Sequence, residues 1–204
     1  VTGIVADDAQ TVRLQLGGPL PDGSYAVAIG PDVEDVDGSP LLGGVMVPLY
    51  RTDFDERVGA EWSLGDVASD ASISAGGIQP RFAGFHGNNA LSLALANLPE
   101  HQRIRLVWDL FIIDSWDGNA HDDAFLVTLG NSPTPLWRHN FSQWDFDADS
   151  FPGTPTVSGS NFSGNSWNDS VYRNLEVEFD HTSADLTLHF SGANLQGIPD
   201  ESWG

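Results

Sequence analysis

The sequence contains no cysteine and no lysine, and it has a single methionine, Met46. The absence of cysteine excludes disulfide scaffolds, zinc sites with cysteine ligands and thiol catalysis. Positive charge is also scarce, because 8 arginines stand against 29 acidic residues and leave a formal net charge of -21. Such a surface repels nucleic-acid phosphates and anionic lipids, so we expect no nucleic-acid binding. No apolar run approaches the roughly 18 residues of a membrane-spanning helix, so we expect no membrane insertion.

The residues that are abundant favour a β-protein. The 204 residues include 22 glycines and 12 prolines, which favour turns, and 7 tryptophans and 11 phenylalanines, which can fill a core. Helical periodicity is nearly absent, whereas short alternating or apolar runs recur. They predict strands near residues 11–16, 24–29, 44–50, 71–73, 90–94, 102–113, 123–130, 135–141, 172–179 and 185–191. We therefore predict an all-β chain that forms an antiparallel β-sandwich or jelly roll.

The run at 102–113 should be a central strand. Ile104, Leu106 and Trp108 alternate with Arg103 and Arg105, which indicates a half-exposed first half. The last residues of the run are apolar on both faces, which is typical of a strand that is buried on both sides.

The first 48 residues form a separate segment in this interpretation. They are too few to bury a core alone, so either they pack on residues 49–204 or another chain completes them. The stretch "DGSYAVAIGPDVEDVDGSPL" resembles the last hairpin of a bacterial immunoglobulin-like repeat. The resemblance implies a short immunoglobulin-like strand meander over 1–48, ahead of a main domain over 49–204.

The strongest candidate for a metal site follows the central strand. Four carboxylates and one amide occur within ten residues: Asp114, Asp117, Asn119, Asp122 and Asp123. Oxygen ligands on a tight Asp-Gly turn suit Ca²⁺, which takes about 6–8 oxygens. The alternative is a solvated turn, because Asp, Asn and Gly all favour turns.

A second acidic segment and several tryptophans suggest ligand contacts. Rings beside carboxylates are typical of sugar binding, in which the ring stacks on a sugar face; the alternative is that these aromatics close the sandwich. The alternating aspartates of 145–149 resemble half of an EF-hand loop, but the glycine and the glutamate that such a loop needs are missing, which favours a solvated loop. The candidate ligand-contacting residues are Trp116, Trp144, Asp145, Asp147 and Asp149.

A third acidic pattern raises the question of catalysis. Glu176, Glu178 and Asp180 alternate along one strand and share a face, as the acids of some sandwich-fold glycosidases do. Core-facing apolar residues with water-facing acids explain the same alternation, and this interpretation is favoured. We therefore expect a protein that is not an enzyme.

Residues from about 50 to 204 resemble a family of bacterial extracellular domains. The specific pieces are the run that contains "SWDGN" and the ending "DESWG". The resemblance implies a concanavalin-type, lectin-like jelly roll outside the cell, and a calcium site at Asp114, Asp117, Asn119, Asp122 and Asp123. In this family "ESWG" is typically followed by a further strand. We therefore expect one unfilled strand position, whose open edge can pair with a neighbouring chain.

These observations predict a calcium-stabilised adhesion module of a larger, secreted bacterial surface protein, with a glycan or peptide ligand. An alternative is a structural subunit of an extracellular filament or sheath that assembles by strand exchange. A glycoside hydrolase on the same fold is the third possibility.

Overall fold

The structure, a computed structural model, describes residues 3–6, 12–15, 48–54, 59–63, 82–143, 150–160, 167–198 and 200–204. The chain divides into two compact units, Val1–Pro48 and Leu49–Gly204. The strands predicted at 24–29 and 71–73 lie outside the described residues, as does most of the one at 44–50, of which 48–50 is not a strand. Trp144, Asp145, Asp147 and Asp149 also lie outside them.

In the first unit, the described residues form one antiparallel pair of strands. Strand β1 (Gly3–Ala6) pairs with β2 (Val12–Gln15). The predicted strand at 11–16 is confirmed, whereas β1 was not predicted. The likeness of this unit to an immunoglobulin repeat stays a prediction.

The second unit contains two antiparallel sheets. Its strands are β3 (Ala90–Leu95), β4 (Arg103–Asp114), β5 (Ala124–Leu129), β6 (Trp137–Asn140), β7 (Val157–Ser160), β8 (Asp169–Asp180), β9 (Leu186–Ala193) and β10 (Glu201–Trp203). One four-stranded sheet has the order β10-β4-β8-β7, and the other has the order β3-β9-β5-β6. The prediction of an all-β fold is confirmed, and the architecture is compatible with a β-sandwich. Among the described residues, no helix has the length and apolarity required to cross a membrane.

Strand β4 has the predicted burial pattern. Its first seven residues alternate between exposed and half-buried, and its last five are all buried. It lies between β10 and β8, so the prediction of a central strand is confirmed. The other strands predicted in this unit match β3, β5, β6, β8 and β9, whereas β7 and β10, at 4 and 3 residues, were missed.

One apolar core contains residues of both sheets, as in a β-sandwich. Leu110 and Tyr172 lie in the same cluster as Phe125 and Leu188. Trp203 on β10 contacts Phe125 on β5 at 5.0 Å between ring centroids. The contacts of these side chains join β10 to the opposite sheet.

A second, smaller cluster covers the other face of the first sheet where β4 ends. Phe111 and Ile113 pack there with Val171 and Phe82. The rings of Phe82 and Phe111 are stacked at 4.5 Å. These contacts bury the end of β4 on both faces, and the cation candidates follow directly after it.

The acids of β8 lie on the exposed part of the same sheet. Glu176, Glu178 and Asp180 are exposed, whereas Leu175 and Phe179, at the alternate positions of the strand, are buried. Glu176 forms an ion pair with Arg105. Arg103 lies 3.7 Å from Glu178 and 3.5 Å from Asp180. This arrangement matches the favoured interpretation of a solvated strand face.

Candidate metal centre

The chain turns sharply between β4 and β5, and this turn builds the candidate site. Asp114 ends β4 in the left-handed region, with φ of 67°. Trp116 follows with a fully buried side chain, whose indole N–H donates to the Ser202 carbonyl oxygen at 2.9 Å. A short 3₁₀ turn, Gly118–Ala120, then leads to Asp123 and β5. The buried indole thereby fixes the turn to β10.

Two carboxylates of this turn meet a third from a distant part of the chain. Asp117 and Asp123 belong to the turn, and Glu201 begins β10. One oxygen of each lies within 4.8 Å of the others. Oxygens on opposite sides of one Ca²⁺ ion, each about 2.4 Å from it, are about 4.8 Å apart, so the spacing suits a single ion. We call these three residues the acidic triad.

Two members of the acidic triad are fully buried. Asp123 and Glu201 are both 0% exposed. The backbone amide of Asp117 donates to Oδ2 of Asp123 at 2.6 Å. The backbone amide of Gln196 donates to Oε2 of Glu201 at 2.5 Å. The Asp117 side chain is partly exposed and lies 2.8 Å from Nδ1 of His121. The site is therefore anchored in the core and open on the side of Asp117.

One buried oxygen of the triad lacks a partner. Oδ1 of Asp123 is inaccessible to solvent and has no hydrogen-bond partner among the described residues. An unpaired buried carboxylate oxygen is costly, because it has lost its water without gaining a donor. A bound cation would satisfy it.

The electrostatics of the triad also favour a bound positive charge. Burial and the neighbouring carboxylates of Asp123 and Asp117 raise the pKa of Glu201 to about 7. Burial, followed by the charge of Asp117, raises the pKa of Asp123. The hydrogen bond and the charge of Asp117 raise the pKa of exposed His121. All three pKa values are raised, which means that the site favours an added positive charge. A bound cation can supply that charge in place of a proton.

The structure brings together two of the five predicted cation ligands, Asp117 and Asp123. Asp122 points to a different cluster, where it accepts hydrogen bonds from Arg138 and Asn140, both at 2.7 Å. Asn119 is exposed in the 3₁₀ turn. Asp114 is buried opposite Glu201 in the β4–β10 ladder but is not a member of the acidic triad.

Sequence reasoning missed Glu201 and its neighbour Gln196. Gln196 Nε2 lies 3.2 Å from Oδ2 of Asp117 and 3.4 Å from Oε1 of Glu201, so it links the two acids. The pairing of β10 with β4, together with the Trp116 indole bond to Ser202, places them at the turn. The ending "DESWG" was the single sequence signal, and it carried no information on which strand it joins.

The predicted ligand-contacting residue Trp116 lies in the core. Its side chain is 0% exposed, so the ring has no free face for a ligand in this structure. A cleft of about 360 Å³ lies elsewhere, between β6, β8 and the segment at 151–154. Its lining includes Trp137, Phe151, Asn174 and Glu176. The cleft thus combines aromatic rings with amide and carboxylate groups.

The turn depends on the glycine at position 118. Gly118 has φ of +63°, and a Cβ atom there would lie 2.9 Å from Cβ of Ser142. Gly130 has φ of +51° with nothing within 4 Å of such an atom, so it is a matched control. A left-handed alanine costs about 1–2 kcal/mol at either position. We expect Gly118→Ala to lower the free energy of unfolding by roughly 1 kcal/mol more than Gly130→Ala, because only position 118 adds a steric overlap.

Urea unfolding of both glycine variants in EDTA measures this difference without any contribution from a cation. Equal losses for the two variants would contradict the overlap at Ser142.

The chain was compared with family models, with curated proteins and with solved structures, and none of the three comparisons finds a match. The resemblance of residues from about 50 onward to lectin-like extracellular domains therefore stays a prediction.

Proposed function

We propose that this chain is part of a larger bacterial surface protein, in which residues 49–204 form a calcium-stabilised, non-enzymatic adhesion module outside the cell. The observation that carries the proposal is the acidic triad with the unpartnered, buried Oδ1 of Asp123. All three side chains are carboxylates, and hard oxygen ligands favour Ca²⁺ over softer transition metals. The cation ties the turn after β4 to β10.

The proposed fold is a jelly roll of the concanavalin type. Two four-stranded antiparallel sheets that share one core support it. The formal net charge of -21 supports an extracellular location, where millimolar calcium is available to an acidic surface.

A glycan or a peptide is the proposed ligand. The cleft beside Trp137 and Phe151 supports a glycan, because rings stack on sugar faces while Asn174 and Glu176 can bind hydroxyl groups. A glycan array in the presence of calcium is the measurement that separates the two ligand classes.

Calcium should raise the melting temperature of the protein. At a concentration about 100 times the dissociation constant, a bound ligand adds about 2.7 kcal/mol of stability. For a chain of this size that corresponds to an increase of about 5–10 °C. Differential scanning calorimetry in EDTA and in 10 mM CaCl₂, with isothermal titration calorimetry for the affinity, tests this. An unchanged melting temperature and no heat of binding would remove the proposal.

A further inference from the structure

The strand that supplies Glu201 is short and lies at the edge of its sheet. Strand β10 has three residues, and all three are buried. It pairs with the buried end of β4, so that Trp203 lies opposite Ile112 and Glu201 lies opposite Asp114. Three residues give few backbone hydrogen bonds, so the position of β10 depends on its other contacts.

The end of β10, at Trp203, is held by hydrogen bonds to the neighbouring residues His86 and Gly87. The Trp203 indole N–H donates to the Gly87 carbonyl oxygen at 2.7 Å. His86 and Trp203 exchange backbone hydrogen bonds of 2.9 and 2.8 Å on the outer side of the strand. These contacts lie at Trp203, the last residue of β10, whereas the first residue, Glu201, contributes the buried carboxylate.

The start of β10, at Glu201, is repelled by the other carboxylates of the acidic triad. Placing β10 against β4 brings the Glu201 carboxylate into the triad beside Asp117 and Asp123. Like charges at this distance repel, and burial strengthens the repulsion. Among the described residues, no hydrogen-bond donor contacts the buried Oδ1 of Asp123, so this oxygen has no donor to stabilise its charge.

We propose that a cation bound by Asp117, Asp123 and Glu201 is a latch that holds β10 in place. Removal of the cation releases β10 locally and exposes the edge of β4 at its buried end, while the rest of the sandwich stays folded. This inference rests on the proposed calcium site, and it adds that the site controls whether a sheet edge is paired.

Hydrogen exchange can detect the latch residue by residue. The amides that report on β10 are those of Trp203 and Gly204, together with their partners His86 and Phe111. At pH 8 and well below the melting temperature, we expect these amides to exchange at least about tenfold faster in EDTA than in 10 mM CaCl₂. Amides of the β3–β9 ladder should change much less, because their hydrogen bonds lie within the other sheet and do not involve β10.

The variant Glu201→Gln separates charge from packing. Glutamine keeps an oxygen that can accept the Gln196 amide, but it removes one charge from the triad. We expect the Trp203 amide of Glu201→Gln in EDTA to exchange several-fold more slowly than that of the wild-type protein in EDTA, and to respond little to calcium. The matched control is Glu178→Gln, since Glu178 is exposed on β8 and pairs with Arg105, at the opposite end of β4 from Asp114, the partner of Glu201.

The outcomes distinguish the latch from the calcium site itself. If calcium binds and raises the melting temperature but slows exchange equally at β10 and at the β3–β9 ladder, the latch is wrong and the calcium site stands. If Glu201→Gln in EDTA exchanges as fast as the wild-type protein in EDTA, repulsion does not control β10 and the latch is again wrong. If calcium does not bind, both proposals fail.

Discussion

Replacing Asp123 with asparagine is expected to abolish the calcium-dependent increase in melting temperature. Asparagine has nearly the same shape and keeps one oxygen that can accept the Asp117 amide, as Oδ2 does now at 2.6 Å. Its NH₂ group would replace Oδ1, the oxygen without a partner. Because an N–H group cannot coordinate a cation, the site loses both a ligand and a charge.

The same substitution should leave the calcium-free protein at least as stable as the wild type. The lost charge is one of two fully buried carboxylates that repel each other. The new N–H group can donate to Glu201, which the aspartate cannot do when ionised. We therefore expect a melting temperature in EDTA equal to or above the wild-type value, although most buried substitutions destabilise.

Calorimetry of Asp123→Asn in EDTA and in 10 mM CaCl₂ measures both effects. Asp185→Asn is the matched control, since it removes one aspartate charge from an exposed residue next to β9. It should retain the full response of about 2.7 kcal/mol at 100 times the dissociation constant. An undiminished response in Asp123→Asn would show that calcium binds elsewhere.

Without calcium, stability should fall as the pH rises from 5 to 8. The folded protein raises the pKa of Glu201 from 4.5 to about 7, so between these values the native state binds more protons than the unfolded state. Stability then decreases with increasing pH in that window. At about 1.4 kcal/mol per pKa unit, the cost at pH 8 is about 3 kcal/mol relative to pH 4. The raised pKa values of Asp123 and His121 act in the same direction, whereas the pKa values of His86, His139 and His181, which burial lowers, act in the opposite direction.

Saturating calcium should flatten this dependence, because the bound ion keeps the carboxylates deprotonated in the folded state, as they already are in the unfolded state at these pH values. Urea unfolding at pH 5, 6, 7 and 8, in EDTA and in 10 mM CaCl₂, gives both curves. The histidines contribute equally to the wild type and to Glu201→Gln, so the difference between these two proteins measures the contribution of Glu201. Identical pH dependence of the two in EDTA would contradict the buried triad, and so would parallel wild-type curves in EDTA and in calcium.

The part of the fold that could be predicted depends on local patterns. The alternation of Arg103, Ile104 and Arg105, followed by apolar residues on both faces, indicated both the exposed start and the buried end of β4. Short strands carry less signal, so β7 and β10 were missed. Trp203 in β10 is 2% exposed and packs on Phe125, yet its three-residue strand is too short to show an alternating pattern.

Of the acidic triad, only the two residues that are close in the sequence could be predicted. Asp117 and Asp123 are six residues apart, and one tight turn is enough to bring them together. The turn also separates neighbours: Asp122, adjacent to Asp123, points instead to Arg138 and Asn140. Asp122 is still in the turn, with φ of 64°, whereas Asp123 leads into β5, so the two side chains point apart. Spacing along the sequence does not tell which of the two faces the cation site. Glu201 depends on strand order, which no local pattern contains.

The position of β10 also determines when the domain can finish folding. Its side-chain contacts join residues far apart in the chain, 86 positions between Trp116 and Ser202 and 116 positions between Gly87 and Trp203. Closing such long loops costs entropy, so these contacts should form late, after the local hairpins. During synthesis, Trp116 in the turn after β4 would stay exposed until residues 201–203 have been made. A cation that joins the turn to β10 would then act as a reversible cross-link, in a chain without a cysteine to form a permanent one.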